Sequence, residues 1–357
     1  MNVVSRMAGF VTMWPLTITI TAMLLTVLAV TPAGAAGTDS KPAAPLSGKK
    51  ILWVDSYYTD YEWSRGIESA IRETLQGSGG ELKIFHMDTK RNLKEDFHRQ
   101  AGRRAWEIVK EFRPDVVIAS DDNAQRFFVV PYLKDSALPV VFIGVNQDLA
   151  LYGYPCSNVT GMIEHEMAEQ LIRHLRSVAK GKRAGILGPD VHTMHIVAEQ
   201  YNKQFFDGEL KYYLVRSFAE FKEAFLRAQQ EVDLLVFRNY SGITGWSASE
   251  AEAFVTTHVR IPTGSVLPWM QHLNLFTIAK MPQEHGKYAA TTALRILGGA
   301  RPVDLPVVSN RLAHLVVNLK MAKPAGIVLP VSLLQTAEII GKDAYYQPDF
   351  LTLPEGR

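Results

Sequence analysis

Apolar residues in this chain follow two alternating patterns. Short unbroken runs such as Ile51-Leu52-Trp53-Val54 suit strands covered on both faces, and longer stretches with apolar positions every three or four residues suit helices buried along one side. The runs predict strands at 50–55, 81–87, 115–120 and 139–145. The periodic stretches predict helices at 63–75, 93–112 and 123–133; the second carries Phe97, Ala101, Ala105, Ile108 and Phe112 on one face and is stopped by Pro114. Such a series implies a parallel sheet with helices on both faces. The series then restarts. Helices at 167–178, 194–206, 218–229 and 249–258 alternate with strands at 183–188, 210–216, 233–238 and 262–267, followed by a strand at 275–280 and a helix at 284–297. The expected fold class is α/β, with two Rossmann-like lobes. Asn158-Val159-Thr160-Gly161 lies between the two series and reads as the crossover.

Polar clusters fall directly after the expected strands. The first lobe presents Asp55-Ser56-Tyr57, Ser120-Asp121-Asp122-Asn123 and Asn146-Gln147-Asp148. The second presents Gly188-Pro189-Asp190, Arg238-Asn239-Tyr240-Ser241 and Trp269-Met270-Gln271. Ligands of open α/β sheets bind beyond the carboxyl ends of the strands, so these clusters would line a cleft between the lobes. Each Asp, Asn or Ser taken singly also suits a helix N-cap. The turn after the first strand adds Tyr57, Tyr58, Tyr61 and Trp63 among Asp60 and Glu62, which offers flat faces beside negative charge.

The first 36 residues change the picture of where the protein acts. Arg6 precedes an apolar stretch that ends at Ala33-Gly34-Ala35-Ala36, a pattern that suits a cleaved secretory signal over residues 1–36. An uncleaved membrane anchor is the alternative. Residues 37–48 read as a flexible linker. Cys156 is the only cysteine, so no intramolecular disulfide is available and the core must hold the fold. The composition, 47% hydrophobic, is rich enough for that. A formal net charge of +2 is not the footprint of a nucleic-acid binder.

Catalytic signatures are missing. There is no Gly-x-Ser-x-Gly elbow, no P-loop and no Gly-x-Gly-x-x-Gly. His192, His195 and the Glu164-His165-Glu166 run bring no identifiable third ligand, so neither a metal nor another cofactor is expected. The chain is read as a non-enzyme.

Several segments carry a family resemblance: Pro114-Asp115-Val116-Val117-Ile118-Ala119, Leu138-Pro139-Val140-Val141-Phe142-Ile143, Asn158-Val159-Thr160-Gly161, Arg183-Ala184-Gly185-Ile186-Leu187, Ile296-Leu297-Gly298-Gly299 and Gly326-Ile327-Val328-Leu329-Pro330. On these the chain resembles the ABC-transporter substrate-binding proteins of the group that includes tryptophan- and tyrosine-binding members. The resemblance implies the type I periplasmic-binding-protein fold, with a multi-strand hinge. Lobe 1 would span 49–161 plus about 284–303, and lobe 2 would span 162–283 plus about 304–357, with 305–319 returning to the second lobe. The Asp55–Trp63 segment looks more like a subgroup whose relatives form the extracytoplasmic sensing part of histidine kinases. Where the family usually carries a Thr-Pro-type turn, this chain has Ser120-Asp121-Asp122-Asn123, and its two carboxylates favour a ligand with amino or hydroxyl donors.

The resulting expectation is a periplasmic or otherwise extracytoplasmic, monomeric solute-binding protein that closes over a small polar or aromatic molecule and delivers it to an ABC permease. The alternative is a sensing module acting in trans on a membrane histidine kinase. Tyr57, Tyr58 and Trp63 would supply stacking faces. Asp121, Asp122, Asn123, Asn146, Asn239 and Tyr240 would supply hydrogen bonds and charge, with Trp269 facing them from the second lobe.

Overall fold

The computed structural model describes residues 46–342; the expected signal segment at 1–36 and most of the 37–48 linker lie outside these. Two sheets organise the chain. The first contains β1 (Lys50–Asp55), β2 (Glu81–His86), β3 (Val116–Ser120), β4 (Val140–Val145) and β5 (Val159–Ile163), interleaved with α1 (Glu62–Leu75), α2 (Glu95–Phe112) and α3 (Asp121–Ala124). The second contains β6 (Ala184–Pro189), β7 (Lys211–Val215), β8 (Leu234–Phe237), β9 (Thr263–Ser265) and β10 (Phe276–Lys280), with α4 (Ala168–Val178), α5 (His192–Phe205), α6 (Phe218–Glu231) and α7 (Ala248–His258). Then α8 (Pro282–Leu297) returns to the first half and β11 (Val308–Ser309) pairs with β5. The chain re-enters the second sheet as β12 (Ala313–Asn318), α9 (Leu319–Ala322), α10 (Val331–Thr336) and β13 (Glu338–Ile340).

Strand order is β2-β1-β3-β4-β5-β11 in the first sheet and β7-β6-β8-β9-β10-β12-β13 in the second. Both are doubly wound, with the order reversing at β1/β3 and at β6/β8. In β1 the side chains alternate between faces. Leu52 and Val54 pack with the α2 residues Ala101, Ala105 and Val109, whereas Ile51 and Trp53 pack with Ile67 and Ile71 of α1 and Ala289 and Ala293 of α8. This two-sided burial is why the strands read as unbroken apolar runs.

Four sequence expectations change. Val159-Thr160-Gly161 is not the crossover but the body of β5, bonded to β4 and β11, with Thr160 donating to the Leu305 carbonyl at 2.8 Å. The crossover follows it, at Glu164–Met167. Residues 305–309 remain with the first half, and the return to the second begins at Ala313. The second sheet is not wholly parallel. β11 ends at the hinge, so the chain enters the second sheet from its hinge edge and β12 runs antiparallel to β10. The helix expected at 123–133 is α3 continued as a π-helix over Gln125–Leu133, closed by Lys134 N–H on the Val129 carbonyl at 2.8 Å; Pro131 within it has no N–H to give.

The chain thus passes between the halves three times, after β5, β10 and β11. Each of these strands has its carboxyl end at the hinge, so the carboxyl edges of both sheets face it. Docking of α8 on α1 anchors the second passage. A Cβ on Gly286 would lie 2.3 Å from the Ile67 carbonyl oxygen and 2.9 Å from Ala70 Cβ. Backbone cannot yield cheaply at that distance, so Gly286→Ala is expected to destabilise the protein by about 2 kcal/mol. Urea unfolding measures this, and an unchanged midpoint would show that the two helices are not held at this spacing.

Candidate functional site

The carboxyl ends of β1 and β3 are sewn together by short polar bonds. Trp53 Nε1 donates to Ser120 Oγ at 2.6 Å, and Ser56 Oγ donates to the Ser120 carbonyl at 2.6 Å while accepting from Ala124 N–H at 2.8 Å. Thr89 Oγ1 donates to the Ser56 carbonyl at 2.7 Å and accepts from Asn123 Nδ2 at 2.9 Å. Asn123 is therefore used in fixing the loop after β2, and the turn after β1 is held rigidly.

Asp121 follows β3 with φ of +68°, a left-handed conformation that Asp tolerates better than most residues. This directs its carboxyl toward Gly144, where a Cβ would sit 2.8 Å from Asp121 Oδ1. The group is 3% exposed and its Oδ2 has no partner among the described residues. Burial, and then the charges of Asp55 and Glu164, hold this carboxyl well above the usual carboxylate range. Asp55, fully buried at the end of β1, is hydrogen-bonded through Oδ2 to His86 Nδ1 at 2.9 Å, and its Oδ1 has no partner among the described residues. Asp122 accepts from Tyr152 Oη at 2.6 Å, and Asn146 Nδ2 reaches Glu164 at 3.5 Å.

Three further residues complete this cluster, none of them expected from the sequence. Glu164, 6% exposed at the end of β5, is ion-paired with Lys280 at the end of β10, so the pair ties the first passage to the second. Lys280 Nζ also lies 5.0 Å from the centre of the Trp63 ring. The Trp63 ring also meets the α8 residue His285, tilted at 58° with centroids 5.2 Å apart. His285 Nδ1 accepts from Gly144 N–H at 3.3 Å, which places the ring proton on Nε2, a fully buried donor without a partner. Trp63 Nε1 is a second unpartnered donor. Tyr57 belongs here too: the Asp121 charge, then burial and Glu164, push its phenol up. Tyr58 stands in an outer layer, its ring beneath the Arg91 guanidinium at 4.3 Å.

The second sheet presents a smaller group at its own carboxyl edge. Arg238 follows β8 as Asp121 follows β3. Its side chain is 9% exposed, Nη2 donates to Glu166 at 2.5 Å, and Nε and Nη1 have no partner among the described residues. Asn239 Oδ1 accepts from Ser241 N–H at 3.0 Å and from Trp269 Nε1 at 3.4 Å, which brings two expected site residues together. Trp269 is half exposed, whereas Tyr240 is stacked on Trp246 at 4.8 Å and has one face covered. Asp190 is committed elsewhere, to His195 and Arg216.

Concave pockets also occur at the opposite, amino ends of the strands, between Arg183, Gln229 and Ile261 and between Trp106, Tyr132 and Leu138. Arg183 there is already paired with Asp233. Gln229 Nε2 is unpartnered there among the described residues, whereas the unpartnered charged side chains, Asp55, Asp121 and Arg238, stand at the carboxyl edges.

No family model matches the chain, and no curated protein matches it. Solved structures do. A ligand-free, open substrate-binding protein with adhesive properties from Clostridium difficile superposes with a TM-score of 0.64 at 15% identity, over 82% of this chain and 99% of that one. An ABC domain from Streptococcus pneumonia in complex with L-Trp gives 0.52 at 18% identity, over 82% of this chain and 100% of its own. A conserved domain protein from Vibrio cholerae gives 0.53 at 18%, over 82% and 99%. The chain has the type I periplasmic-binding-protein fold, as its sequence resemblance implied.

Proposed function

We propose that this protein is an exported solute-binding protein that closes its two halves over a small molecule and presents it to an ABC permease. One observation carries the reading. At equivalent positions of the two sheets, both facing the hinge, stand buried polar side chains with unused bonding capacity, Asp121 after β3 and Arg238 after β8. Buried groups left unpartnered are costly, and a ligand reaching both edges would satisfy them. The Asn239–Trp269 pair would meet it from the second half, Tyr57 and Trp63 from the first. Three passages between the sheets suit hinge closure. The likeness in fold to a substrate-binding protein and to a domain in complex with L-Trp supports binding rather than turnover.

Thermal unfolding of the purified protein tests this against amino acids, sugars, nucleosides and amines. A ligand at about 100 times its Kd adds about 2.7 kcal/mol of stability, a rise in Tm on the order of 5 °C. Small-angle scattering should show the radius of gyration falling with the same ligand. If no class raises Tm, the solute-binding reading fails.

A further inference from the structure

We propose that the solute is an organic amine, its ammonium head seated against the unpartnered oxygens of Asp121 and Asp55 and flanked by the rings of Tyr57 and Trp63. This rests on the solute-binding reading and names its substrate class.

Charge is the first argument. Asp55, Asp121, Asp122 and Glu164 stand at the carboxyl ends of β1, β3 and β5; the lysine placed among them is Lys280, on Glu164, and the His86 imidazole is bonded to Asp55. His285 brings no charge, because burial and then Lys280 pull its pKa down to about 3. Asp55 Oδ1 and Asp121 Oδ2, on residues 0% and 3% exposed, have acceptor capacity and no donor among the described residues. An ammonium supplies three donors and a positive charge at once.

The site also shows how it treats an ammonium. Lys280 Nζ is held on a buried carboxylate and over the Trp63 ring at 5.0 Å, and Lys90 Nζ lies 4.6 Å from the centres of the Tyr57 and Tyr61 rings. Carboxylate below and aromatic face beside is the arrangement a cationic ligand needs. A metal ion is the weaker occupant, since among the described residues no three His, Cys, Asp or Glu side chains converge to hold one. An α-amino acid would carry its carboxylate next to the nitrogen and into the field of these four acids. A neutral polyol would donate hydrogen bonds and leave the charge uncompensated.

Binding is coupled to a proton. The groups facing Asp121 are Asp55 on β1, Tyr57, Asp122, Glu164 and Lys280; burial first, then the charges of Asp55, Glu164 and Asp122, hold its carboxyl protonated above the ordinary range against the pull of Lys280. An arriving ammonium displaces that proton, so amine affinity rises with pH until Asp121 is ionised in the empty site.

The test is a thermal-shift and calorimetric comparison of tyramine, tryptamine, putrescine and choline with 2-(4-hydroxyphenyl)ethanol, tyrosine, tryptophan and ribose. At least one amine should raise Tm by several degrees, bind about tenfold or more tightly than its neutral or zwitterionic counterpart, and release a proton, seen as a buffer-dependent binding enthalpy. Asp121→Asn and Asp55→Asn should each weaken that amine about tenfold, and Asp121→Asn should abolish the proton release. If sugars or amino acids shift Tm and amines do not, or if amine affinity survives both substitutions, the amine assignment is wrong while solute binding stands. If none of the eight compounds shifts Tm, the solute-binding reading itself falls.

Discussion

Replacing Lys280 by Met is expected to lower the unfolding free energy by about 2 kcal/mol at neutral pH, and to do so less as the pH falls. The substitution leaves Glu164, 6% exposed, without its ion-pair partner. A buried carboxylate in that position escapes by taking a proton. For a group whose ordinary pKa is 4.5, neutralisation at pH 7 costs about 3 kcal/mol, which caps the effect. Lys280 is 32% exposed, so water screens part of the pair in the native protein and the loss falls below the cap. Burial already holds the Glu164 pKa above its ordinary value against the pull of Lys280. Removing Lys280 raises it further, so the penalty is small near pH 5 and grows as the pH rises toward 8. Glu164→Gln should cost less, because the lysine left behind can turn to solvent. The Lys280→Met, Glu164→Gln double variant should lie closer to the wild type than the two losses added together. Urea unfolding at pH 5, 7 and 8 measures all of these. A penalty for Lys280→Met that is equal across this range would mean that Glu164 carries no buried charge.

Much of this site was readable in the chain, and the reason the rest was not is specific. The rule that polar residues just beyond strand ends gather at the carboxyl edges placed Asp121, Asp122, Asn146, Asn239 and Tyr57 there, where the structure has them. It would have located Glu164 as well had β5 been recognised. That strand was hidden because Asn158 and Gly161 look locally like a turn; what makes it a strand is burial beneath α8 and pairing with β11, both contributed by chain more than a hundred residues later. Lys280 ends an expected strand but stands 116 residues from its carboxylate, and only the hinge brings them together. His285 had no local signal at all: its role comes from facing Gly144 and Trp63 across the α8 docking surface. The parallel core of each half was legible because both faces of its strands are buried. The antiparallel β12 was not, since its direction follows from where the third passage enters the sheet.

A second large effect lies below pH 6.5. The His285 imidazole is wholly buried, its Nδ1 accepts from Gly144 N–H, and burial followed by the Lys280 charge lowers its pKa from 6.5 to about 3. The folded protein therefore keeps it neutral down to about pH 3, while the unfolded chain protonates it at its ordinary value. Between those limits the unfolded state binds the extra proton, so this group's contribution to stability, full above pH 6.5, falls as the pH falls, by about 1.4 kcal/mol per unit. From pH 6.5, where the unfolded histidine is already half protonated, to 4.5 that is about 2 kcal/mol. Asp121 and Glu164 work in the opposite sense: their folded-state pKa values are raised, so the stability linked to them is greatest at low pH and is lost as the pH rises. The wild-type curve mixes both signs, and the contribution of His285 must be read as a difference. His285→Gln retains an acceptor for Gly144 N–H and cannot titrate. The stability of the wild type relative to this variant should decline steadily between pH 6.5 and 4.5, measured by urea unfolding across the series. A constant gap would show that the imidazole protonates within the fold. Trp63 and Gly144 are its neighbours, so acid would then loosen α8 at the rim of the cleft before it unfolds the rest of the protein.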